Sequence, residues 1–258
     1  MLTIATWNVN SIKARLDHLL QWLDQARPDV ALLQELKCQE ADFPRLELES
    51  RGWHLAVSGQ KTYNGVAILS RLPLVETARG LAGDNGEARY IEARLEGGLT
   101  VASVYVPMGQ ATDSEKFPFK LGFLDGLYAR AQALLAAEAP FVLGGDYNVA
   151  PGPDDVFDVS AMTGQVLYTL EERAKFRRLL HLGLTDCFRV FNREPAQFSW
   201  WDYRGGAWPR NLGLRIDHLL ASPQAADRLT AAGIDKTPRG WDKASDHTPV
   251  WCRLADPT

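Results

Sequence analysis

Cysteine is scarce in this sequence of 258 residues, which contains only Cys38, Cys187 and Cys252, far apart along the chain. No two of them have the spacing of a zinc site, and a disulfide framework would need more of them. Free thiols are typical of a reducing compartment. We therefore expect a protein of the cytoplasm that has neither structural disulfides nor a zinc site.

Long apolar runs are missing as well. No segment approaches the ~18 uninterrupted apolar residues of a membrane-spanning helix. The first residues, Met-Leu-Thr-Ile-Ala-Thr-Trp-Asn, carry no basic stretch before an apolar run, unlike a signal peptide. The sequence thus predicts a soluble protein with no membrane partner.

Basic residues are fewer than acidic ones: the chain has 28 Lys and Arg residues and 32 Asp and Glu residues, for a net charge of −4. Proteins that coat nucleic acid without chemistry are usually basic. The composition therefore argues against a passive nucleic-acid-binding module. An acidic chain that acts on a polyanion normally needs a cation at its site.

The overall composition is that of an ordinary folded globule, with 46% hydrophobic and 23% charged residues. A chain of this length buries roughly three quarters of its unfolded surface and needs no disulfide cross-links to be stable. No Pro/Ser-rich linker and no block of like charge marks a boundary. We expect a single domain over residues 1–258, working as a monomer.

Apolar runs alternate with amphipathic stretches along the chain. The pattern predicts a strand over residues 2–7, a helix capped by Ser11 and closed before Pro28, and a strand over 30–33. Further strands are predicted at 53–57, 66–69, 88–95, 99–106, 141–143, 198–201, 214–220 and from Thr248, and helices at 119–137, near 171–180 and after Ser222. Short turns between strands indicate antiparallel neighbours. The prediction is an α/β (α+β) fold of two packed mixed β-sheets with helices outside.

Polar side chains stand where three of the predicted strands end. Asn8 and Asn10 follow the first strand, Glu35 follows the second, and Asp146 and Asn148 follow the strand at 141–143. Open α/β sheets gather ligand groups at the carboxyl ends of their strands. One such residue can merely cap a turn, but three strands together favour a site for Mg²⁺ or Mn²⁺, which prefer oxygen ligands.

Three of the five histidines follow an aspartate. The pair Asp17-His18 falls within the amphipathic first helix, where we expect a solvated face. Asp217 differs, because it lies in an apolar strand where a charge must be paired or hydrogen-bonded. An aspartate that orients a histidine is the usual way to hold an imidazole for acid–base or phosphate chemistry. We predict that Asp217 pairs with His247 across the site.

Aromatic and basic residues interleave over residues 198–210, which include Trp200, Trp201 and Arg204. Stacking faces beside guanidinium groups suit nucleic acid or sugar phosphates. Adjacent tryptophans are more often part of a core than a stacking platform, so the segment supports a nucleic-acid substrate only moderately.

Three further residues have open interpretations. Tyr105 ends a predicted strand, where it is either an interior aromatic or a phenol that reaches a phosphate oxygen. Lys116 and Lys120 form a second basic patch, which we expect to be a solvated rim unless it lies beside the mouth of the site.

Seven short motifs then occur in one order: Trp7-Asn8-Val9-Asn10, Leu33-Gln34-Glu35, Asn64-Gly65-Val66-Ala67-Ile68-Leu69-Ser70, Tyr105-Val106-Pro107, Gly145-Asp146-Tyr147-Asn148, Leu214-Arg215-Ile216-Asp217 and Ser245-Asp246-His247. Together they resemble the exonuclease III family of Mg²⁺-dependent DNA repair nucleases (exodeoxyribonuclease III and AP endonuclease), within the endonuclease/exonuclease/phosphatase superfamily. The resemblance runs from residue 1 to about residue 254 and implies a four-layer sandwich of two packed mixed β-sheets flanked by helices.

The resemblance also implies roles for individual residues. Glu35 would be the main metal carboxylate, and the other implied ligands are Asn8, Asp146, Asn148, Asp246 and His247. Asp146 would position and deprotonate the attacking water, which Asn148 would hold in line. His247, oriented by Asp217, would contact the scissile phosphate beside Tyr105.

By the same resemblance the substrate is duplex DNA, cleaved at abasic sites and from recessed 3′ ends in the 3′→5′ direction. The side chains implied around an extrahelical sugar are Trp200, Trp201, Leu214 and Ile216, and we add Asn10, Lys116 and Arg204 as DNA contacts. A nucleotide without a base is the easiest to extrude, which would select damaged DNA. Residues 164–168 match a variable loop that tunes abasic-site incision against 3′ trimming among relatives.

Two other functions stay open. A phosphatase or phosphodiesterase for a soluble or lipid phosphate would share the superfamily core, because a fold alone does not fix function. A catalytically dead DNA-binding or scaffolding protein is the third hypothesis. The segment from Trp200 to Arg210 and the patch of Lys116 and Lys120 favour DNA over a small phosphate. The intact polar positions of the site and the negative net charge disfavour the third hypothesis.

Overall fold

Two six-stranded mixed sheets pack face to face in the computed structural model, which describes residues 1–256. The strands of the first sheet, in spatial order, are β11 (Leu229–Ile234), β12 (Val250–Leu254), β1 (Leu2–Asn8), β2 (Val30–Gln34), β4 (Val66–Ser70) and β3 (His54–Ser58). Those of the second are β5 (Leu74–Arg79), β6 (Tyr90–Leu95), β7 (Thr100–Tyr105), β8 (Phe141–Asp146), β10 (Asp217–Ala221) and β9 (Thr185–Asp186).

Each sheet has one parallel pair at its centre, β1 with β2 and β7 with β8, while the other neighbours are antiparallel. A parallel pair needs a long crossover, and a helix supplies it in both cases. The helices are α1 (Leu16–Ala26), α2 (Arg45–Glu49), α3 (Lys116–Ala136), α4 (Val159–Met162), α5 (Leu170–His181), α6 (Cys187–Phe191) and α7 (Pro223–Ala226).

Alternation along the strands separates the inner from the outer packing faces. Ile4 and Leu32 point into the layer between the sheets, whereas their neighbours Ala5 and Leu33 pack outward with α1. On the other side, α3 and α5 cover the outer face of the second sheet. The predicted arrangement of two packed mixed sheets with helices outside is confirmed.

The sheets approach each other closely near the end of β8. A Cβ atom on Gly144 would lie 2.6 Å from Leu32 Cδ1 of the first sheet and 2.5 Å from Leu219 Cδ2. A larger residue here would force these two leucine side chains to move. The next residues along β8 therefore end close to the first sheet, which places Asp146 near the end of β1.

Several predicted boundaries are wrong. The helix expected from Ser11 starts at Leu16, because Ser11 has a φ of 86° and the amide of Ile12 donates to the Leu36 carbonyl 3.1 Å away, which fastens the loop to the chain after β2. The predicted strand at 198–201 is a loop with isolated bridges from Trp200 to Leu214 and His247.

The predicted strand at 214–220 begins later, at Asp217, and the last strand begins at Val250 rather than Thr248. The edge strands β5 and β11 were not predicted from the sequence, because they are only partly buried and lack a regular alternation of apolar and polar residues. All three cysteines are buried and free, as expected. None of the helices in the described part of the chain is long and apolar enough to cross a membrane.

Candidate active site

The carboxyl ends of β1, β2 and β8 meet at one edge of the two sheets. The buried amide of Asn8, at the end of β1, donates through Nδ2 to Glu35 Oε1 at 2.8 Å and to Asp146 Oδ2 at 3.0 Å. Asn8 therefore joins a carboxylate of the first sheet to a carboxylate of the second. The predicted convergence of strand-end polar groups is present in the structure.

Sharp turns after the strands aim these side chains inward. Asn10, Glu35 and Asn148 all have left-handed backbones, with φ values of 46°, 52° and 49°. This conformation is tolerated by asparagine but unusual for glutamate, and such strain concentrates at functional sites. Backbone bonds hold the turn at Glu35, whose carbonyl accepts from Ser11 N at 2.8 Å.

A line of three buried side chains crosses the site. His247 Nδ1 lies 2.9 Å from Asp217 Oδ2, and His247 Nε2 lies 3.6 Å from Asp146 Oδ2. The hydroxyl of Ser199 donates to Asp217 Oδ2 at 2.6 Å. The predicted pairing of Asp217 with His247 is thus present. His218, the neighbour of Asp217 in sequence, instead contacts the Val149 carbonyl at 2.8 Å through Nε2.

The charges in this line favour a protonated imidazole. Burial alone would lower the pKa of His247, but the negative charges of Asp217 and Asp146 outweigh it and raise the pKa to about 10. Burial raises the pKa of Asp146 well above that of an ordinary aspartate, against the opposing charge of His247. Asp146 is therefore a carboxylate that accepts a proton readily near neutral pH.

Glu35 is ionised under the same conditions. Burial acts to raise the pKa of Glu35, but the ammonium of Lys37 and the bond from Asn8 lower it overall. Lys37 Nζ lies 2.8 Å from Glu35 Oε2 and 2.5 Å from Asn10 Oδ1. Two carboxylates close together, one of them firmly ionised, make the site attractive to a cation.

Tyr105 reaches the site from the end of β7. Its hydroxyl donates to Glu35 Oε1 at 3.0 Å, and the guanidinium of Arg89 lies 4.8 Å from the centre of its ring. Burial and the charge of Glu35 raise the pKa of Tyr105 well above that of a free phenol. The side chain is therefore a hydrogen-bond donor in the site rather than an interior aromatic.

Three groups in the described residues could share a metal ion. One ligand atom each from Glu35, Asp146 and His247 lies within 4.8 Å of the other two. The two carboxylates suit a hard cation, which would also relieve the repulsion between them. Asn8 turns its Nδ2 donor toward both carboxylates and accepts from Asn10 N through Oδ1, so its role as a ligand stays a prediction. A protonated imidazole has no lone pair to offer, so His247 fits a metal less well than the carboxylates do.

Asp246 lies beside this group with both of its oxygens engaged. Asn10 Nδ2 donates to Asp246 Oδ1 at 3.0 Å, and Trp200 Nε1 donates to Oδ2 at 2.9 Å. Asp246 thereby fixes one edge of the Trp200 ring, whose centroid lies 6.5 Å from that of His247. Its predicted role as a metal ligand stays a prediction.

The sequence profile of the Endonuclease/Exonuclease/phosphatase family matches residues 5–247, which include every polar residue of this site. The chain belongs to this family. It is 38% identical to the exodeoxyribonuclease III of Haemophilus influenzae, over 96% of this chain and 98% of the relative.

Solved structures of the family superpose closely on the whole chain. A 3′ phosphatase from Neisseria bound to a product DNA hairpin has a TM-score of 0.96 and 39% identity, over 99% of this chain and 100% of that one. An AP endonuclease from Archaeoglobus fulgidus has a TM-score of 0.94 and 37% identity, over 98% of this chain and 99% of that one.

The residues predicted to contact DNA divide by burial. Trp200 is partly exposed, Lys116 is exposed, and Arg204 is exposed and paired with its neighbour Asp202 at 2.9 Å. Lys116 and Tyr105 both line one open cleft of about 590 Å³ beside the site.

Trp201, Leu214 and Ile216 are buried, contrary to what direct contact would require. Trp201 packs among Phe198 and its neighbours, while Leu214 and Ile216 belong to a small apolar cluster under Trp200. Leu214 and Ile216 thus pack against Trp200, and contact of any of the three side chains with DNA stays a prediction.

Two sequence expectations about basic and histidine residues are wrong. Lys120 is not on a solvated rim but fully buried in an ion pair with Glu172. His18 is half-buried and packs edge-on against Trp241, with ring centroids 5.2 Å apart. The sequence analysis did not single out Lys37 or Ser199. Lys37 could have been found from its position two residues after Glu35, whereas no sequence pattern around Ser199 indicates its contact with Asp217.

Proposed function

We propose that the protein is a Mg²⁺-dependent DNA repair nuclease of the exodeoxyribonuclease III type, which hydrolyses phosphodiester bonds of duplex DNA at abasic sites and from recessed 3′ ends. The observation that carries the proposal is the buried line from Asp146 through His247 to Asp217, next to the Asn8-bridged carboxylates. Family relatives named for 3′ phosphatase and AP endonuclease activities support the choice of substrate.

Glu35 and Asp146 would hold the metal ion, while Asn8 donates to both carboxylates and keeps them in place. When bound, Mg²⁺ or Mn²⁺ would stabilise the negative charge that develops on the phosphate oxygens during attack. Lys37 pairs with one oxygen of Glu35 and so leaves the other to Asn8, Tyr105 and a cation.

Asp146 acts as the proton acceptor for the attacking water. Its raised pKa suits a base that works near neutral pH. The backbone amide of Asn148 donates to Asp146 Oδ1 at 2.9 Å and keeps the carboxylate in one orientation. By the family resemblance, Asn148 would also hold the water in line.

His247 and Tyr105 act as donors to the scissile phosphate. The protonated imidazole can donate Nε2–H to a phosphate oxygen while Asp217 holds Nδ1 from behind. Tyr105 remains a phenol because of its raised pKa and offers a second donor beside Glu35. Fixed donors aimed at developing charge are an effective means of lowering the barrier.

Trp200, Lys116, Arg204 and Asn10 are the candidate DNA contacts. The partly exposed ring of Trp200 is the best candidate for stacking against an extrahelical sugar, because Asp246 anchors its indole nitrogen. Lys116 borders the cleft that adjoins Tyr105, where it would meet a backbone phosphate.

One labelled duplex tests the proposal. It carries a central abasic-site analogue and a recessed 3′ end, and it is incubated with Mg²⁺ or with EDTA. We expect incision at the analogue and a 3′ ladder with Mg²⁺, and neither with EDTA. A ladder without incision would restrict the activity to 3′ trimming, whereas an intact duplex with Mg²⁺ would overturn the DNA substrate and favour a small phosphate.

A further inference from the structure

Lys120 holds the main chain of Asn148 from inside the protein. Lys120 has no exposed surface, and its Nζ donates to the Asn148 carbonyl at 2.6 Å, to the Met108 carbonyl at 3.1 Å and to Glu172 Oε1. An ammonium group has three donors and no acceptor, so these three contacts use it completely. Burial lowers the pKa of Lys120, and Glu172 offsets part of that shift.

We propose that Lys120, together with Glu172, is a positioning residue that fixes Asn148 for hydrolysis at the Asp146 site. The inference rests on the proposed function for the reaction itself. Lys120 touches no reacting atom and acts through the backbone of Asn148.

Asn148 lies in a sharp turn whose conformation is held by hydrogen bonds from its polar groups. Its φ of 49° lies in the left-handed region. Its side-chain nitrogen donates to the Val106 carbonyl at 2.9 Å, and its backbone amide donates to Asp146 Oδ1 at 2.9 Å. The Lys120 ammonium fixes the third polar group of the residue, its carbonyl, and thereby sets the direction of the peptide that follows.

The carbonyl of the next residue, Val149, is also held by a buried side chain. His218 Nε2 lies 2.8 Å from the Val149 carbonyl, again from a side chain with almost no exposure. The carbonyls of Asn148 and Val149 therefore accept hydrogen bonds from buried side chains of α3 and β10. A small shift at either would move the Asn148 amide relative to Asp146.

Glu172 extends the network to the loop at residues 164–168. Its Oε1 accepts from Leu167 N at 3.0 Å, and its Oε2 accepts from Thr169 N at 2.9 Å and from Thr169 Oγ1 at 2.6 Å. Leu167 has a φ of 80°, another left-handed backbone. The same ion pair thus links the loop to the catalytic asparagine.

A role in holding helices together would not require this pair. Lys175 and Asp125 already join α5 to α3 at the surface, where they are 24% and 48% exposed. Burying two charges costs more solvation than the surface pair does, and apolar side chains of similar volume often give equal stability. Apolar side chains could replace neither the donor to the Asn148 carbonyl nor the bonds to Met108 and to the loop amides.

The decisive variant is Lys120→Met/Glu172→Gln. It removes the donor to Asn148 without leaving a buried charge unpaired. The amide oxygen at position 172 can still accept from Thr169, whereas Leu167 N loses its acceptor, a change that Glu172→Gln alone shares. Glu172→Gln alone keeps the Lys120 nitrogen, which donates even when neutral. Lys175→Met breaks the exposed pair between the same helices and is the matched control.

The measurements are kcat and KM on the abasic duplex, thermal unfolding, and the side-chain amide signal of Asn148 in protein labelled with ¹⁵N-asparagine. For the double variant we expect kcat to fall about 10- to 100-fold with KM within about twofold, since small misplacements cost that much. The Asn148 amide signal should move. Glu172→Gln should recover most of kcat, and Lys175→Met should match the wild type in kcat and in the signal.

A double variant with wild-type kcat and an unmoved Asn148 signal would overturn the proposal, as would a loss of stability alone. If Lys120→Met/Glu172→Gln fails to fold, the same measurements are made on Lys120→Gln/Glu172→Gln. Its shorter amide side chain at position 120 does not reach the Asn148 carbonyl. If the wild type cleaves no DNA, the proposed function fails, while the Asn148 signal still decides whether Lys120 positions that residue.

Discussion

The carboxylate of Asp217 lies 2.9 Å from Nδ1 of His247, and both side chains are almost completely buried. The contact joins β10 to the loop that leads into β12, so it spans the two sheets. Ser199 supplies a second donor to the same carboxylate, at 2.6 Å. A charge buried this deeply persists only when it is paired in this way.

Asp217→Asn tests how much the reaction depends on this contact. The amide oxygen can still accept from Nδ1, but the charge that raises the pKa of His247 is gone. We expect kcat to fall about 10²- to 10⁴-fold, the range for a neutralised aspartate behind a catalytic histidine, and the imidazole to lose its proton at lower pH. Steady-state kinetics and the His247 ring signals in NMR titrations measure both effects.

Asp17→Asn is the matched control for that experiment. Asp17 also precedes a histidine, but it is exposed in the first turn of α1, outside the site. Its kcat should stay within about twofold of the wild type. Equal kcat for Asp217→Asn and Asp17→Asn would remove Asp217 from the catalytic machinery.

Asp146→Asn should abolish cleavage while the fold is kept. Only one oxygen changes, and burial already favours the neutral form of Asp146 through its raised pKa. Since the folded state is penalised by the buried charge above that pKa, the variant should be no less stable than the wild type at pH 8. Single-turnover cleavage and thermal unfolding check the two statements.

Asp154→Asn, at an exposed aspartate on the loop after β8, is the control for Asp146→Asn. It should cleave normally. Near-normal turnover of Asp146→Asn would show that another group accepts the proton from water.

Trp200→Ala should weaken cleavage of the abasic duplex far more than metal binding. Stacking on an aromatic ring contributes about 1–3 kcal/mol per nucleotide, so KM should rise roughly 5- to 100-fold while the fold survives. Trp200→Phe separates the ring from its hydrogen bond to Asp246, and it should keep most of the affinity. Equilibrium binding of Mn²⁺ and the KM for duplex DNA are the two measurements.

Trp201→Ala gives the contrast within the same pair. The ring of Trp201 is completely buried and packs edge-on against Trp208 at 4.7 Å. Its loss should destabilise the fold by about 3–5 kcal/mol. If Trp200→Ala unfolds the protein to the same degree, Trp200 belongs to the core and not to the DNA surface.

Local sequence was enough to find the strand-end residues of the site. Asn8, Glu35 and Asp146 stand at the ends of strongly apolar strands, and the closeness of such ends follows from sheet geometry alone. Asp217 was singled out because an isolated charge in an apolar strand demands a partner. Both inferences depend on burial, which apolar runs reveal well.

Residues whose role depends on distant packing could not be found in this way. Lys120 lies in a segment that looks basic and exposed, and only the docking of α5 on α3 buries it against Glu172. The start of α1 was missed for a similar reason, because the turn at Ser11 is fixed by the chain after β2, at Leu36. Contacts between segments far apart in sequence decided these cases.

Stability at mildly acidic pH should depend on His218. This side chain is 1% exposed, with Nε2 bonded to the Val149 carbonyl and Nδ1 lying 3.0 Å from Arg215. Burial, and then the charge of Arg215, lower the pKa of His218 to about 4. Between about pH 6.5 and pH 4 the unfolded chain therefore binds a proton that the native state refuses.

By linkage, the free energy of unfolding falls as the pH drops through that window, by roughly 3 kcal/mol at pH 4 from this one group. His218→Gln lacks the titration, so the difference in unfolding free energy between wild type and variant should shrink by that amount between pH 7 and pH 4. Urea unfolding at several pH values measures the difference and cancels the titration of other groups such as Asp146. Parallel pH profiles would mean that His218 takes up its proton in the folded protein as easily as in the unfolded chain.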